Sequence, residues 1–396
     1  MRRPVHPVLI AVVAMVAVFF LGIYAGAHYY RLSPLLHLLP DGARQAFFPG
    51  DNLVQLQREV ENILRENYYE PVDSAVLETG AMEGLVGSLG DPYSEYFSPE
   101  AYSMFRVHTD GTFVGIGVVF EDKDTELTVV STLPGSPAEA AGVMEGDIIV
   151  AVDGQALAGM SSEEASSLIK GEEGTMVLIR VKRGEGEERD FNIERRKLEL
   201  PVVTDEVLEA GGRRVGYISL VQFSEDSGDK VAGALEKLSA QGVEGVILDL
   251  RNNGGGLLDE SVDVASVFIE NGLIVSTVGR DGNTTEYEAR GDANEKIELV
   301  VLVNGNSASA SEITAGAIKD DGRGILIGEK TFGKGVVQQI VELSNGGAIK
   351  YTSAVYYTPD GTNINEVGIE PDIYVVDDPA TEADEQLDRA LAYFTG

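Results

Sequence analysis

Between residues 215 and 328, apolar runs of strand length alternate with patterns of helical period, and nothing else in the chain narrows its fold as much. The strand-like runs are 215–223, 246–250, 297–303 and 325–328, and the helical patterns between them are 230–238, 258–269 and 309–318. Such alternation predicts an α/β domain with partly parallel strands. A β-rich stretch follows, clearest at 347–357, and residues 382–394 read as an amphipathic helix.

Upstream the rhythm differs. Strand candidates at 113–120, 127–131, 148–152 and 176–181, with short helices at 136–141 and 162–170, predict a compact separate module ending near 198–201. Before it, Leu53, Leu56, Val60, Ile63 and Leu64 recur at helical spacing behind Asp51 as a cap, and a second helix is expected over 76–89. Gly90-Asp91-Pro92-Tyr93-Ser94 has the composition of a turn. The two helices suit either a bundle within one subunit or a pairing of two subunits. At the N-terminus, Arg2 and Arg3 precede an apolar run over 8–27, long enough to span a bilayer. Ala25-Gly26-Ala27 resembles a signal-peptidase site, but the run is long for a cleaved signal, so an uncleaved anchor is the favoured expectation. The arginines favour a cytoplasmic N-terminus, which puts the remainder outside the cytoplasm.

Composition removes whole classes of chemistry. The chain has no cysteine, so thiol catalysis, disulfides and cysteine metal sites are excluded. Its formal net charge of -35 repels nucleic acid and anionic lipid. The histidines are His6, His28, His37 and His108, so the α/β region contains none. A Ser-His-Asp site wholly within that region and histidine zinc motifs are therefore excluded; unless His108 reaches in from before the module, the natural base for a serine there is lysine or a carboxylate. No cofactor or metal is expected.

Three clusters remain as candidates. Asn304-Gly-Asn-Ser-Ala-Ser-Ala-Ser-Glu-Ile313 lies at a strand-to-helix junction, where helix-start N–H groups are free to stabilise an oxyanion. An ordinary serine cap would look the same, and composition does not choose among Ser307, Ser309 and Ser311. Gly328-Glu-Lys-Thr-Phe-Gly-Lys-Gly335, followed by Gln338, allows a tight loop that turns a lysine inward. Desolvation would have to lower that lysine's pKa before it could act as a base. The loop lacks the phosphate-binding GxxxxGK[ST] motif, because Gly335 stands in the Ser/Thr place. Asp249-Leu-Arg-Asn-Asn-Gly-Gly-Gly256 offers a backbone that a ligand can approach closely.

Together these clusters resemble the C-terminal processing peptidases, or tail-specific proteases, of peptidase family S41, over roughly residues 55–375. The resemblance implies a multidomain α/β protein: a ClpP/crotonase-like protease core with an inserted PDZ domain and an N-terminal helical segment. On that pattern, 1–30 is the signal or anchor, 31–50 a linker and 51–111 the helical segment. The PDZ domain is 112–196, the core with its cap elements 197–378 and the C-terminal helix 379–396. The resemblance implies Ser309 as nucleophile, Lys334 rather than Lys330 as general base and Gln338 as the residue that orients the lysine. It places the oxyanion hole at the N–H groups of Gly255 and Ala310. In the PDZ-like module it implies a peptide carboxylate loop at Val114, Gly115, Ile116 and Gly117. Lys170 stands where relatives often carry an arginine that couples the module to the site, and it lacks that residue's bidentate fork.

The function expected from this is a serine endopeptidase that reads the C-terminal tail of extracytoplasmic proteins. The alternative is a proteolytically silent PDZ scaffold. Expected partners are protein substrates with nonpolar C-terminal tails, a regulatory or adaptor protein, the membrane through the N-terminal segment and a second copy of the chain in a homodimer. Nucleic acid is not among them.

Overall fold

The computed structural model describes residues 51–396 apart from 124–125, 185, 292, 379 and 382. The anchor and linker expected over 1–50 lie outside the described residues. The chain divides into two units, the boundary falling between Gly84 and Leu85. In the first, the expected stripe lies on α1 (Asp51–Asn67), and α2 (Ser74–Gly87) begins. Leu53, Leu56, Val60, Ile63 and Leu64 are all exposed, and α2 buries no residue. Among the described residues, no helix is long and apolar enough to cross a membrane.

The second unit opens with the 90–94 turn, β1 (Glu95–Phe97) and α3 (Pro99–Asp110). Ser98 caps α3 by accepting the Ala101 N–H at 3.2 Å, Pro99 occupies the first turn and Gly111 ends the helix at φ 63°. The PDZ-like module follows: β2 (Thr112–Gly115), β3 (Val118–Lys123), β4 (Glu126–Thr132), α4 (Pro137–Ala141), β5 (Ile148–Val152), β6 (Gln155–Ala156), α5 (Ser162–Ile169), β7 (Met176–Arg183), β8 (Glu187–Glu194) and β9 (Arg196–Glu199). The apolar run 113–120 is two strands rather than one. Ile116 and Gly117 break it, their carbonyls accepting the N–H groups of Ala138 and Leu133. Gly117 sits at φ +76°, and a Cβ there would lie 2.3 Å from the Ser136 Cβ. Strands β3-β4-β5-β7-β8 form one antiparallel sheet over a core of Ile116, Val129, Val177, Ile179 and Val181. Strands β2 and β9 pair separately at the module's two chain ends.

The core sheet has the order β10-β11-β12-β15-β16-β19. Its strands are β10 (Val203–Ala210), β11 (Arg213–Leu220), β12 (Gly245–Asp249), β15 (Glu298–Val303), β16 (Ile325–Gly328) and β19 (Ile373–Tyr374). Only β10 runs antiparallel to its neighbour. Its alternation of apolar and charged residues hid it from the reading of apolar runs. The central strands are apolar between their end residues because both faces are covered. Val246, Leu248, Val301 and Val303 meet helices α6 (Ser227–Ala240), α7 (Leu258–Ser266) and α8 (Ala310–Asp320) on one face. Ile247, Val300 and Leu302 meet α9 (Glu385–Tyr393) and Phe394 on the other. Each such buried side chain contributes about 1.5–3 kcal/mol relative to exposure. A second sheet, β1-β18-β13-β14 with β17 on β18, is built from β13 (Leu273–Gly279), β14 (Thr284–Glu288), β17 (Val336–Glu342) and β18 (Ala348–Tyr357).

Candidate active site

Strands β12, β15 and β16 are parallel neighbours, so the loops leaving their C-terminal ends meet at one edge of the sheet. Those loops are the three candidate clusters. In open parallel sheets this edge is where ligands bind.

Ser309 precedes α8 with φ 56° and ψ −114°. For a non-glycine residue such a backbone costs on the order of 1–3 kcal/mol and persists only when its surroundings hold it. Its N–H donates to Glu312 Oε2 at 2.8 Å, and its carbonyl accepts from the Glu312 and Ile313 N–H groups. The structure separates the three serines that composition left equivalent. Ser307 Oγ donates to the Leu250 carbonyl and Ser311 Oγ to the Asn253 carbonyl, each at 2.8 Å and buried. Of the three, Ser309 lines a cavity of about 400 Å³.

The two lysines separate in the same way. Lys330 pairs with Glu370 at 2.9 Å, both partners well exposed. Lys334 is half-buried and lines the cavity beside Ser309, with its Nζ 5.0 Å from the centre of the Tyr93 ring. Burial lowers its pKa from the ordinary 10.5, and the nearby charge of Lys350 lowers it further, against Glu95, Glu312 and Asp91.

Glu312, which the sequence reading passed over, ties the two loops together. It is fully buried. Oε1 accepts from Thr331 Oγ1 at 2.6 Å and Gly333 N–H at 2.7 Å; Oε2 accepts from Ser309 N–H at 2.8 Å and Lys334 N–H at 2.9 Å. Burial pushes its carboxyl up from the ordinary value, while these donors favour the carboxylate. Tyr356 adds a second tie, its hydroxyl donating to the carbonyls of Ser309 and Lys334. The sequence signal for Glu312 was its place three residues after a helix-capping serine.

Gly255, Ala310 and Gln338 line the same cavity. Ala310 is the first residue of α8, so its N–H has no acceptor within the helix. The Gly255 N–H donates to Asn253 Oδ1 at 2.9 Å. Gly255 has φ +102°, and a Cβ on it would lie 2.7 Å from the Ser309 Cβ and 3.0 Å from the Ala310 nitrogen. Gln338 makes no hydrogen bond to Lys334: its Nε2 donates to Thr352 Oγ1 at 2.8 Å, and its Oε1 is buried without a partner. Arg251 holds the base of the glycine loop, bonding both Asp249 oxygens and, at 2.7 and 2.9 Å, both Asp384 oxygens. Asn304 exchanges hydrogen bonds with Asn252, each at 3.0 Å, a loop-shaping role.

In the PDZ-like module, Val114 and Gly115 pair with Lys197 and Arg196 in the β2–β9 ribbon, while Ile116 and Gly117 are buried at the start of β3. A groove of about 930 Å³ runs between β3 and α5 and is also lined by Met104 and Val107 of α3. Lys170, the residue that ends α5, lines it too.

Residues 214–375 match the model of peptidase family S41, 128–183 a PDZ domain, and 42–101 the activating protease CtpB N-terminal domain. The chain is 39% identical over 319 residues to a probable CtpA-like serine protease of Staphylococcus aureus, covering 80% of this chain and 63% of that relative's length. It is 38% identical over 346 residues to the carboxyl-terminal-processing protease of a Synechocystis species, covering 84% of this chain and 81% of that one. Among solved structures, the photosystem II D1 C-terminal processing protease is 33% identical with a TM-score of 0.50, covering 85% and 96% of the two chains. An S41 protease of Bacteroides fragilis, at 19% identity and TM-score 0.51, shares the fold over 85% of this chain and 97% of its own. The chain belongs to peptidase family S41, and within it residues 128–183 match a PDZ domain.

Proposed function

We propose that the protein is a serine endopeptidase working through Ser309 and Lys334. The observation that carries this is one cavity holding a serine on a strained elbow, a desolvated lysine and a free helix-start N–H. The neutral Lys334 amine takes the Ser309 hydroxyl proton as Oγ bonds to the scissile carbonyl carbon. The carbonyl oxygen gathers negative charge against the Ala310 N–H, and against the Gly255 N–H once the oxyanion replaces Asn253 Oδ1. Collapse breaks the C–N bond, and Lys334 gives its proton to the leaving amine. Water then attacks the acyl-serine, Lys334 takes the water proton, and that proton returns to Ser309 Oγ as the acid product leaves. Val221, Ile313, Val336 and Ile340 make the cavity walls apolar, which suits a nonpolar side chain at the cut.

The substrate is a protein whose nonpolar C-terminal tail adds a strand to β3 in the groove beside α5, its carboxylate at the Ile116-Gly117 turn. Lys170 supplies positive charge at that groove. The apolar run over 8–27 behind Arg2 and Arg3 supports an extracytoplasmic enzyme held at a membrane, and the exposed α1 stripe suits a second copy or a regulatory protein.

The test is cleavage of an unstructured protein with a nonpolar tail, by the native sequence and by Ser309→Ala and Lys334→Ala. Each variant is expected to lose at least about 1000-fold in kcat while unfolding at the native midpoint. Undiminished cleavage in both would remove this site from consideration. A native protein that binds the tail without cutting it would leave the scaffold reading.

A further inference from the structure

The turn over 90–94, legible in the sequence only as a turn, reaches Gln338, which lines one cavity with Lys334, by an unbroken chain of hydrogen bonds. Asp91 Oδ1 accepts the Tyr93 N–H at 3.0 Å. Asp91 Oδ2 accepts the hydroxyls of Ser94 at 2.5 Å and Thr352 at 2.6 Å, and Ser94 Oγ accepts the Thr352 N–H at 3.1 Å. Although burial acts to raise it, these hydrogen bonds hold the Asp91 carboxyl below the ordinary carboxylate value. Asp91 is therefore an acceptor only.

Counting protons then settles the next link. Thr352 has one hydroxyl proton, and Asp91 takes it. Toward Gln338 the same oxygen can only accept, so it is Nε2 of the amide, at 2.8 Å, that faces Thr352. Oε1 must point the other way, and that oxygen is buried without a partner in a side chain that shares a cavity with Lys334. A register shift between Val337 and Gln338 in the β17–β18 ladder sets Gln338 opposite Thr352. The ring of Tyr93, from the same turn, lies 5.0 Å from Lys334 Nζ.

We propose that the Asp91–Ser94 turn is a positioning device for the lysine base: Asp91, through Thr352, locks the Gln338 amide so that its Oε1 accepts a hydrogen bond from the Lys334 amine, while Tyr93 walls the other approach. The role rests on the serine peptidase reading above. Gln338 lines the same cavity as Lys334, and Asp91 and Thr352 are positioning residues that act through it. The charged and titratable groups around Lys334 are Lys350 on β18, Glu95 on β1, Glu312 on α8, Asp91 and the hydroxyls of Tyr93 and Tyr356. Asp91 is the one among them that both contributes charge and sets the orientation.

The test compares Thr352→Val, Thr352→Ser and Asp91→Asn with the native protein and Ser309→Ala. Thr352→Val keeps the shape and charge but removes the relay; kcat is expected to fall about 100-fold with KM within about twofold. Thr352→Ser is expected to recover kcat to within about threefold, since it restores the hydroxyl. Asp91→Asn removes a negative charge near Lys334, so its kcat falls and the acid limb of kcat moves to lower pH. A second measurement does not need turnover: competitive acylation of the Lys334 amine, followed by mass spectrometry across pH. Its midpoint is expected to fall in Asp91→Asn. Native kcat in Thr352→Val, or a loss that Thr352→Ser does not recover, overturns the proposal. So does an Asp91→Asn protein with both the acid limb and the acylation midpoint unmoved. If the native sequence itself does not cleave, the peptidase reading fails, and the acylation midpoint alone decides whether the turn governs the lysine.

Discussion

At the residue scale, Lys334 sets the pH at which the proposed chemistry runs. The amine must be neutral to take a proton, so activity rises with pH through its pKa in the folded protein. Burial and Lys350 depress that pKa, which brings the acid limb below the range of an ordinary lysine. Lys350→Gln removes one depressing charge and leaves Glu95 and Asp91 to pull the other way. The acid limb of kcat/KM is therefore expected to move to higher pH, read from a pH–rate profile. Gly255 gives a steric prediction. A Cβ there meets Ser309 at 2.7 Å on a backbone with φ +102°. Gly255→Ala is expected to cost about 1–3 kcal/mol in stability. Its displaced N–H should lower kcat about 100-fold. Urea unfolding and steady-state kinetics read the two effects separately.

At the scale of elements, the site depends on ties between loops more than on any single strand. Arg251 is 12% exposed and Asp249 7%, and Asp384 reaches Arg251 from the start of α9, so the last helix braces the glycine loop. Arg251→Ala leaves the buried Asp249 carboxylate without its charge partner, held only by the Tyr217 hydroxyl and a backbone N–H, for which about 3 kcal/mol of destabilisation is expected in denaturant unfolding. Helix α1 makes the opposite case. Its apolar stripe is exposed, Leu53 at 67% and Leu56 at 57%. An amphipathic helix gains most of its stability from covering that stripe. Replacing Leu56 and Ile63 with aspartate is expected to shift the protein toward monomer in light scattering, if the stripe pairs two copies, without changing the unfolding of residues 85–396.

At the scale of the whole molecule, the proposed recognition and cleavage sites are separate cavities, one in the PDZ domain and one on the core. A tail carrying a terminal amide should bind the groove about tenfold more weakly, because the carboxylate's charge-assisted hydrogen bonds are lost. Cleavage of the amidated protein should rise in KM before it falls in kcat.

The alternation of β11, β12, β15 and β16 with α6, α7 and α8, the PDZ segment and the three loops were legible because apolar period and glycine placement are local properties that survive without a structure. Even the lysine and serine were legible as members of short sets. What the linear pattern could not carry was the partner of each polar group. Ser307, Ser309 and Ser311 are interchangeable by composition; only folding spends two of their hydroxyls on backbone carbonyls from another loop and leaves the third in the cavity. Glu312, Asp91 and Thr352 looked like a helix cap, a turn and a strand residue. Their hydrogen bonds span as many as 261 positions of sequence, and distances of that kind are decided by which strands lie side by side. The chain's local chemistry thus determined which groups were available, and the tertiary structure decided which of them are desolvated, which are satisfied and which remain to react.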